Sequence, residues 1–196
     1  MIKRFFIATA ALAAATAPAF AHLNPAEHGS FAAGFSHPFF GLDHVLVMLA
    51  VGLWAASLGG RAMLTVPAAF VGAMGFGFAA AVAGIPLPFV EPVILASIIF
   101  IGLMVALAFP FSVSGMAVTV AFFAVFHGHA HGGELGQAGA AYFAIGFMLA
   151  TAALHATGIA LGLGLARRHE PHGKSRLTRS AGWATAAAGL ALAFAG

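Results

Sequence analysis

The sequence predicts an all-α protein, a bundle of helices that crosses a membrane several times. Of its 196 residues, 62% are hydrophobic and only 7% are charged, whereas about a quarter of the residues in a soluble domain are charged. The apolar residues form continuous runs, and about 20 such residues cross a bilayer as a helix. Only helices and closed barrels span lipid, and runs without polar alternation favour helices.

The first 21 residues have the pattern of a secretory signal peptide. A basic pair near the start precedes an apolar stretch, and Ala19-Phe20-Ala21 forms an A-x-A cleavage site. Cleavage would make His22 the mature N-terminus, where either its amine and its imidazole together bind a metal ion or it is simply a flexible end. The alternative is an uncleaved first membrane helix.

After a short polar lead-in over residues 22–36, six apolar segments are long enough, or nearly so, to cross a bilayer. They lie near residues 38–58, 62–83, 91–109, 113–132, 140–166 and 181–196. Residues 22–196 are therefore predicted to form one membrane domain of six helices. The one long polar loop, residues 167–180, is basic, as is Arg61, and the positive-inside rule places both in the cytoplasm. The mature N-terminus and the C-terminus are then both outside.

The few ionisable residues limit the function. The chain has no basic face to bind nucleic acid, and it has no cysteine, which excludes disulfides, thiolate metal sites and cysteine nucleophiles. Ten histidines against five acidic residues is an unusual balance. Any metal site must use imidazole, carboxylate, backbone or methionine groups. Imidazole and carboxylate donors suit nickel, cobalt, zinc or copper(II).

The first polar motif is His37-Pro38-Phe39-Phe40-Gly41-Leu42-Asp43-His44, at the head of the first apolar span. His37 precedes a proline, so we expect it just above the helix, with Pro38 as the first helical residue. Asp43 and His44 point about 100° apart on a helix. One is predicted to bind a metal directly, and the other to support it or to contact a neighbouring helix. Met48 lies one turn after His44, where packing is favoured over a weak thioether ligand.

The second motif runs from Phe126 to Glu134. His127 and His131 are four residues apart and share a face of the predicted helix. Glu134 follows two glycines, which argue against a continued helix there. His129 points elsewhere and is interpreted as a vestibule residue. The alternative is a solvated, histidine-rich loop.

In the predicted topology both motifs lie on the outer face, and so does Glu91 at the start of the third span. Charged groups near hydrocarbon are costly and usually functional. The predicted metal-binding residues are His37, Asp43, His44, Glu91, His127, His131 and Glu134, with further contacts from His22, His28, His129, His155 and Met48. His155, near the middle of the fifth span, is either a relay ligand or a buried histidine bonded to a serine or a carbonyl.

These motifs resemble those of the HupE/UreJ nickel and cobalt permeases. His37-Pro-x-x-Gly-x-Asp43-His44, followed by Met48 and Val51-Gly52, is similar to the first signature, and Phe126-His127-Gly128-x-Ala130-His131-Gly132-x-Glu134 to the second. The resemblance implies uptake of nickel, or of cobalt, across the bacterial cytoplasmic membrane in support of hydrogenase or urease maturation, without enzymatic activity or a prosthetic group. It implies roles for all the predicted metal-binding residues except Glu91. Glu91 is included because it carries a negative charge and is predicted to lie at the same outer face of the membrane. The lipid bilayer is one expected partner. A second copy of the chain and a downstream metallochaperone are further candidate partners.

Two other functions are alternatives. An intramembrane zinc-dependent hydrolase would hold zinc to activate water, but the chain has no HExxH motif and no clear nucleophile–base pair. A metal-binding accessory subunit would bind the ion without transporting it. The chain has no GxxxxGK[ST] nucleotide-binding loop. Transport would therefore depend on the ion gradient, the membrane potential, protons or a partner protein.

Overall fold

The computed structural model describes residues 30–135, 139–166 and 175–195, and the regular structure in these ranges is entirely α-helical. The helices are α1 (Phe31–Phe40), α2 (Leu42–Leu58), α3 (Ala62–Val82), α4 (Val90–Leu107), α5 (Val113–Leu135), α6 (Ala140–Ala166) and α7 (Arg176–Ala195). The predicted all-α class is confirmed. The predicted signal peptide, His22, His28 and residues 167–174 of the basic loop lie outside the described residues.

Four helices, α3 to α6, are each long and apolar enough to cross a membrane. Helices α1 and α2 pass the same test only as a pair, and this pair is bent by 84°. Helix α7 has 20 residues but carries Arg176 and Arg179 near its start, and it does not belong to this group. The described helices support four or five spans. The six-span count and the orientation stay predictions.

The start of the first span differs from the prediction. The chain is already helical at Phe31, because the Ser30 side chain caps the helix by accepting a hydrogen bond of 3.0 Å from the Ala33 N–H. The prediction that His37 lies outside a helix is wrong, since His37 is in the last turn of α1 and Pro38 is inside that helix. Proline disfavours helix at the residue before it without forbidding it. The helix ends only at Phe40, and the extended backbone of Gly41 turns the chain into α2.

The bundle has two chemically different ends. The histidine end holds the starts of α2, α4 and α6 and the ends of α3 and α5. There the His129 ring of α5 donates to the Ile85 carbonyl in the α3–α4 connection at 2.8 Å. The opposite end, the arginine end, holds Arg61 between α2 and α3. Arg179 of α7 also lies there, because its Nε–H donates to the Ala106 carbonyl in the last turn of α4 at 2.8 Å.

Glycines bring the helices into close contact, as is common in membrane bundles. A Cβ at Gly77 of α3 would meet the backbone of Val125 in α5, and a Cβ at Gly128 would meet the backbone of Met74. Similar approaches join three more helix pairs: α1–α6 at Gly34 and Gly146, α2–α6 at Gly52 and Gly158, and α4–α7 at Gly102 and Gly182. Gly72 of α3 makes no such approach, since an added Cβ there has nothing within 4 Å.

We expect Gly77→Ala to destabilise the bundle, because the added methyl group would push α3 away from the backbone of α5. Overpacking of this kind costs about 1–3 kcal/mol. Gly72→Ala, on the same helix but facing open space, is the matched control and should unfold like the unchanged protein. The melting temperatures of both variants can be measured on protein purified in detergent, with the remaining monodisperse fraction recorded as the temperature rises. Equal melting temperatures for the two variants would contradict the close packing of α3 on α5.

Candidate metal centre

Four histidine side chains from three helices meet at the histidine end: His37 of α1, His44 of α2, and His127 and His131 of α5. The ring centroids are 4.5 Å apart for His37 and His131, 4.7 Å for His44 and His131, and 5.8 Å for His44 and His127. We call these four residues the histidine cluster. His37 is half-buried and the other three are buried. The cluster therefore joins histidines of both sequence motifs.

Asp43 orients His44 and sets the position of its proton. The Asp43 Oδ2 atom lies 2.9 Å from His44 Nδ1, and an ionised carboxylate only accepts hydrogen bonds. His44 Nδ1 must therefore carry a proton, so that in the neutral ring Nε2 keeps its lone pair. Carboxylates commonly support metal-binding histidines in this way. Of the two roles open to this pair, the geometry favours His44 as the direct ligand and Asp43 as its support.

Gly41 gives the Asp43–His44 pair the space that it needs. A Cβ at Gly41 would lie 2.7 Å from Asp43 Oδ1 and 2.8 Å from His44 Nδ1. Both distances are too short for a carbon atom, so a side chain at this position would displace the pair. The glycine of the first motif thus makes room for the hydrogen bond that orients His44.

The Nε2 atoms of His44 and His131 face each other at 2.6 Å across α2 and α5. One donates and the other accepts, so both nitrogens point into the same small volume. Imidazole nitrogens bind a transition metal at about 2.0–2.1 Å. A small separation of the two rings would allow both atoms to bind one ion.

His127 presents another oriented nitrogen. Its Nδ1–H donates to the Phe123 carbonyl one turn earlier, at 3.0 Å. Because a carbonyl only accepts, the neutral ring keeps its lone pair on Nε2. Within the described part of the chain, this buried Nε2 has no hydrogen-bond partner. Leaving a buried polar atom unpaired costs about 1–3 kcal/mol, and a bound ion would remove that cost.

Phenylalanine rings enclose the cluster. Phe147 lies 4.9 Å from His131, Phe143 lies 5.7 Å from His37, and Phe70 lies 5.6 Å from His127, between ring centroids. These rings exclude water, which strengthens electrostatic interactions in the cluster. The four-residue spacing of Phe143 and Phe147 was the available signal. It is weak in a chain with 20 phenylalanines.

Four predicted residues with described side chains lie outside the cluster and its Asp43 support, namely Glu91, Met48, His129 and the buried His155. Glu91 is exposed in the first turn of α4, at the histidine end, and forms no hydrogen bond or ion pair with the cluster among the described residues. Met48 is fully buried in the apolar core, which agrees with a packing role. His129 uses its Nε2–H to hold the α3–α4 connection through Ile85.

Glu134 is in the last turn of α5, and its side chain lies outside what the structure describes. The expectation that the two preceding glycines interrupt the helix is wrong, since α5 continues to Leu135. Gly132 serves close packing instead, because an added Cβ would meet the Phe78 carbonyl of α3. The continued helix also argues against a solvated loop around His127 and His131, both of which are buried.

The cluster is packed ring against ring. Within residues 30–135, 139–166 and 175–195, no three histidine, aspartate or glutamate side chains are already spaced to hold one ion. Binding a metal would therefore require the rings to move apart. A loosely preformed donor set of this kind differs from a closed structural metal site.

A bundle of membrane-spanning helices that gathers four imidazoles at one end, one of them hydrogen-bonded to a carboxylate, has the donor groups expected of a membrane metal-binding protein. Over residues 10–192 the chain matches the family described as "HupE / UreJ protein". It is 42% identical over 186 residues to "Protein HupE" of Rhizobium leguminosarum bv. viciae, which covers 94% of this chain and 95% of that protein. The chain therefore belongs to the HupE/UreJ family.

The family membership confirms the resemblance seen in the two motifs. The HupE/UreJ proteins are metal transporters rather than enzymes, and they are associated with nickel and cobalt uptake for hydrogenase or urease. The alternative of an intramembrane hydrolase is thereby excluded. No solved structure matches the chain.

Proposed function

We propose that this protein takes up a divalent transition metal ion, nickel or alternatively cobalt, across the bacterial cytoplasmic membrane. The observation that carries the proposal is the convergence of oriented imidazole nitrogens from both motifs, with His44 Nε2 and His131 Nε2 facing each other at 2.6 Å. The family association with nickel and cobalt supports this choice of metals. The ion is the substrate, and the function needs no prosthetic group.

The proposed outer centre binds the ion through the histidine cluster, with Asp43 behind His44. A divalent ion among neutral imidazoles needs nearby negative charge, and Asp43 supplies it through its hydrogen bond to His44. Glu91 and Glu134 are proposed to attract the ion at the same end, and His22 and His28 to capture it earlier. Met48 does not belong to the proposed centre, because it packs in the apolar core. His129 does not belong to it either, because its ring is hydrogen-bonded to the Ile85 carbonyl.

A centre whose ligands must first separate suits transport better than storage. Conduction requires binding that is favourable enough to admit the ion and weak enough to release it. Family members supplying hydrogenase or urease would pass the ion on to a cytoplasmic acceptor such as a metallochaperone.

The distribution of charge supports an outward-facing histidine end. Arg61, Arg176 and Arg179 lie at the arginine end, where α7 contacts the last turn of α4. The positive-inside rule would place that end in the cytoplasm. If the bent α1–α2 pair forms one span and α7 another, the total is six, with both mature termini outside. Cleavage of residues 1–21 belongs to the same proposal.

The test is the uptake of radioactive nickel by proteoliposomes that contain only this protein, with and without an imposed membrane potential. We expect accumulation above that of empty liposomes, and competition by unlabelled cobalt ranks the two ions. A folded protein that binds nickel but gives no uptake would contradict the proposal. That result would favour an accessory subunit that needs a partner.

A further inference from the structure

His155 is a fully buried histidine that the outer centre does not use. It lies near the middle of α6, with 0% of its surface exposed. Within the described residues neither Nδ1 nor Nε2 has a hydrogen-bond partner, so the alternative of a histidine bonded to a serine or a carbonyl has no support. Leaving two buried nitrogens without hydrogen bonds destabilises the folded protein. A purely structural role does not explain two such nitrogens in the core.

Phe70 connects His155 to the histidine cluster. Its ring centroid lies 4.9 Å from that of His155 and 5.6 Å from that of His127. His127 in turn lies 5.8 Å from His44. Along α6, His155 is about 22 Å from the first residue of the helix at the histidine end. The imidazoles therefore form a row that leads from the outer centre into the interior of the bundle.

Two further polar side chains lie near this row. Thr151 is one turn before His155 on α6, and its hydroxyl donates to the sulfur of Met74, one turn after Phe70 on α3, at 3.7 Å. Both residues are fully buried. A thioether is only a weak acceptor, so the hydroxyl and the sulfur stay able to contact an ion. The α3–α6 contact thus carries oxygen, sulfur and nitrogen donors in an otherwise apolar core.

We propose that His155 forms a second, inner position that holds the metal ion in transit, and that His127, which lies one turn deeper than His131 on α5, contacts the ion at both positions. This proposal rests on the proposed transport function. The sequence has no acidic residue from His44 to Val90 or from Pro92 to Gly133, nor between Leu135 and His169. The inner position therefore lacks a carboxylate of its own on these helices. It should hold a divalent ion more weakly than the outer centre and release it readily.

The first test compares uptake with binding in His155→Gln, which keeps a polar side chain of similar length. We expect the initial rate of nickel uptake to fall roughly tenfold or more, which is the lower range for changes at metal sites. The nickel affinity of the outer centre, measured by calorimetry on purified protein, should stay within about twofold of the unchanged value. Normal uptake by a folded His155→Gln protein would overturn the proposal.

Trp54→Phe is the matched control, because the Trp54 Nε1 is another buried ring nitrogen without a partner in the described residues. It packs on Phe111, with a centroid distance of 5.3 Å, toward the arginine end. We expect its uptake and binding to be unchanged. If His155→Gln instead loses outer-centre binding and uptake together while remaining folded, His155 belongs to one shared centre and the separate inner position is wrong.

A second measurement does not depend on transport. In the double variant His44→Gln/His131→Gln, we expect weak residual binding of Co²⁺ alone, visible in its absorption spectrum, and loss of that signal when His155→Gln is added. If the unchanged protein transports no metal, the proposed function fails, but this titration still decides the inner position. A double variant without any residual cobalt signal would overturn the inner position.

Discussion

The variant His44→Gln is expected to lose nickel uptake and to bind nickel roughly 100-fold or more weakly, since even changes behind a metal ligand cost 10–100-fold. His44 Nε2 is the nitrogen whose lone pair Asp43 fixes, and it faces His131 across the α2–α5 contact. Glutamine keeps polarity and approximate length but lacks the imidazole nitrogen. Calorimetry on purified protein and uptake by proteoliposomes measure the two effects separately.

The double variant shows whether His44 and His131 act on one ion. Their Nε2 atoms are 2.6 Å apart, so removing either should disable the same centre. We therefore expect His44→Gln/His131→Gln to bind nickel at the outer centre about as tightly as the weaker-binding of the two single variants. The reason is that the effects of substitutions at contacting residues do not simply add. Losses that multiply would indicate two independent sites and contradict the shared centre.

The matched control is His129→Gln, on the same helix as His131. Its glutamine amide can still donate to the Ile85 carbonyl that His129 bonds in the native protein. We expect its nickel affinity and uptake to stay within about twofold of the unchanged protein, as is usual for surface changes away from a site. A loss of nickel affinity as large as that of His44→Gln would mean that His129 belongs to the outer centre.

The sequence predicted the central helices well, because long apolar runs bounded by short polar or proline-containing turns leave little freedom. The predicted spans 62–83, 91–109 and 140–166 correspond to Ala62–Val82, Val90–Leu107 and Ala140–Ala166. The prediction is wrong at the first helix, because Pro38 lies inside that helix instead of starting it. The Ser30 cap and the four-residue spacing of Phe31, Phe35 and Phe39 indicate a helix there.

The residue types of the candidate site were also predictable, but their arrangement was not. The contact between His44 and His131 joins positions 87 residues apart, and no local pattern contains that information. The contact depends on how α2, α5 and α6 pack. That packing follows from close approaches such as Gly52 of α2 against α6 and Gly128 of α5 against α3. The same packing puts Phe147 against the cluster and leaves Glu91 exposed at the rim.

Asp43→Asn is expected to weaken nickel binding about 10–100-fold, the range for supporting residues behind a metal ligand, and to slow uptake in parallel. Asparagine has nearly the same shape as aspartate but no charge. Its amide N–H₂ is able to donate to His44 Nδ1, which would favour the tautomer with the proton on Nε2 and thus remove the lone pair that binds the ion. Calorimetry and uptake under the conditions used for His44→Gln measure the change.

The role of Asp43 can be separated from direct metal binding by combining the two substitutions. If Asp43 acts through His44, adding Asp43→Asn to His44→Gln should cause almost no further loss of nickel affinity, because the imidazole that it orients is already absent. Asp43→Glu, which restores the charge at a different reach, should recover part of the affinity only when His44 is present. A full additional loss in the His44→Gln background would instead mean that the Asp43 carboxylate binds the ion itself.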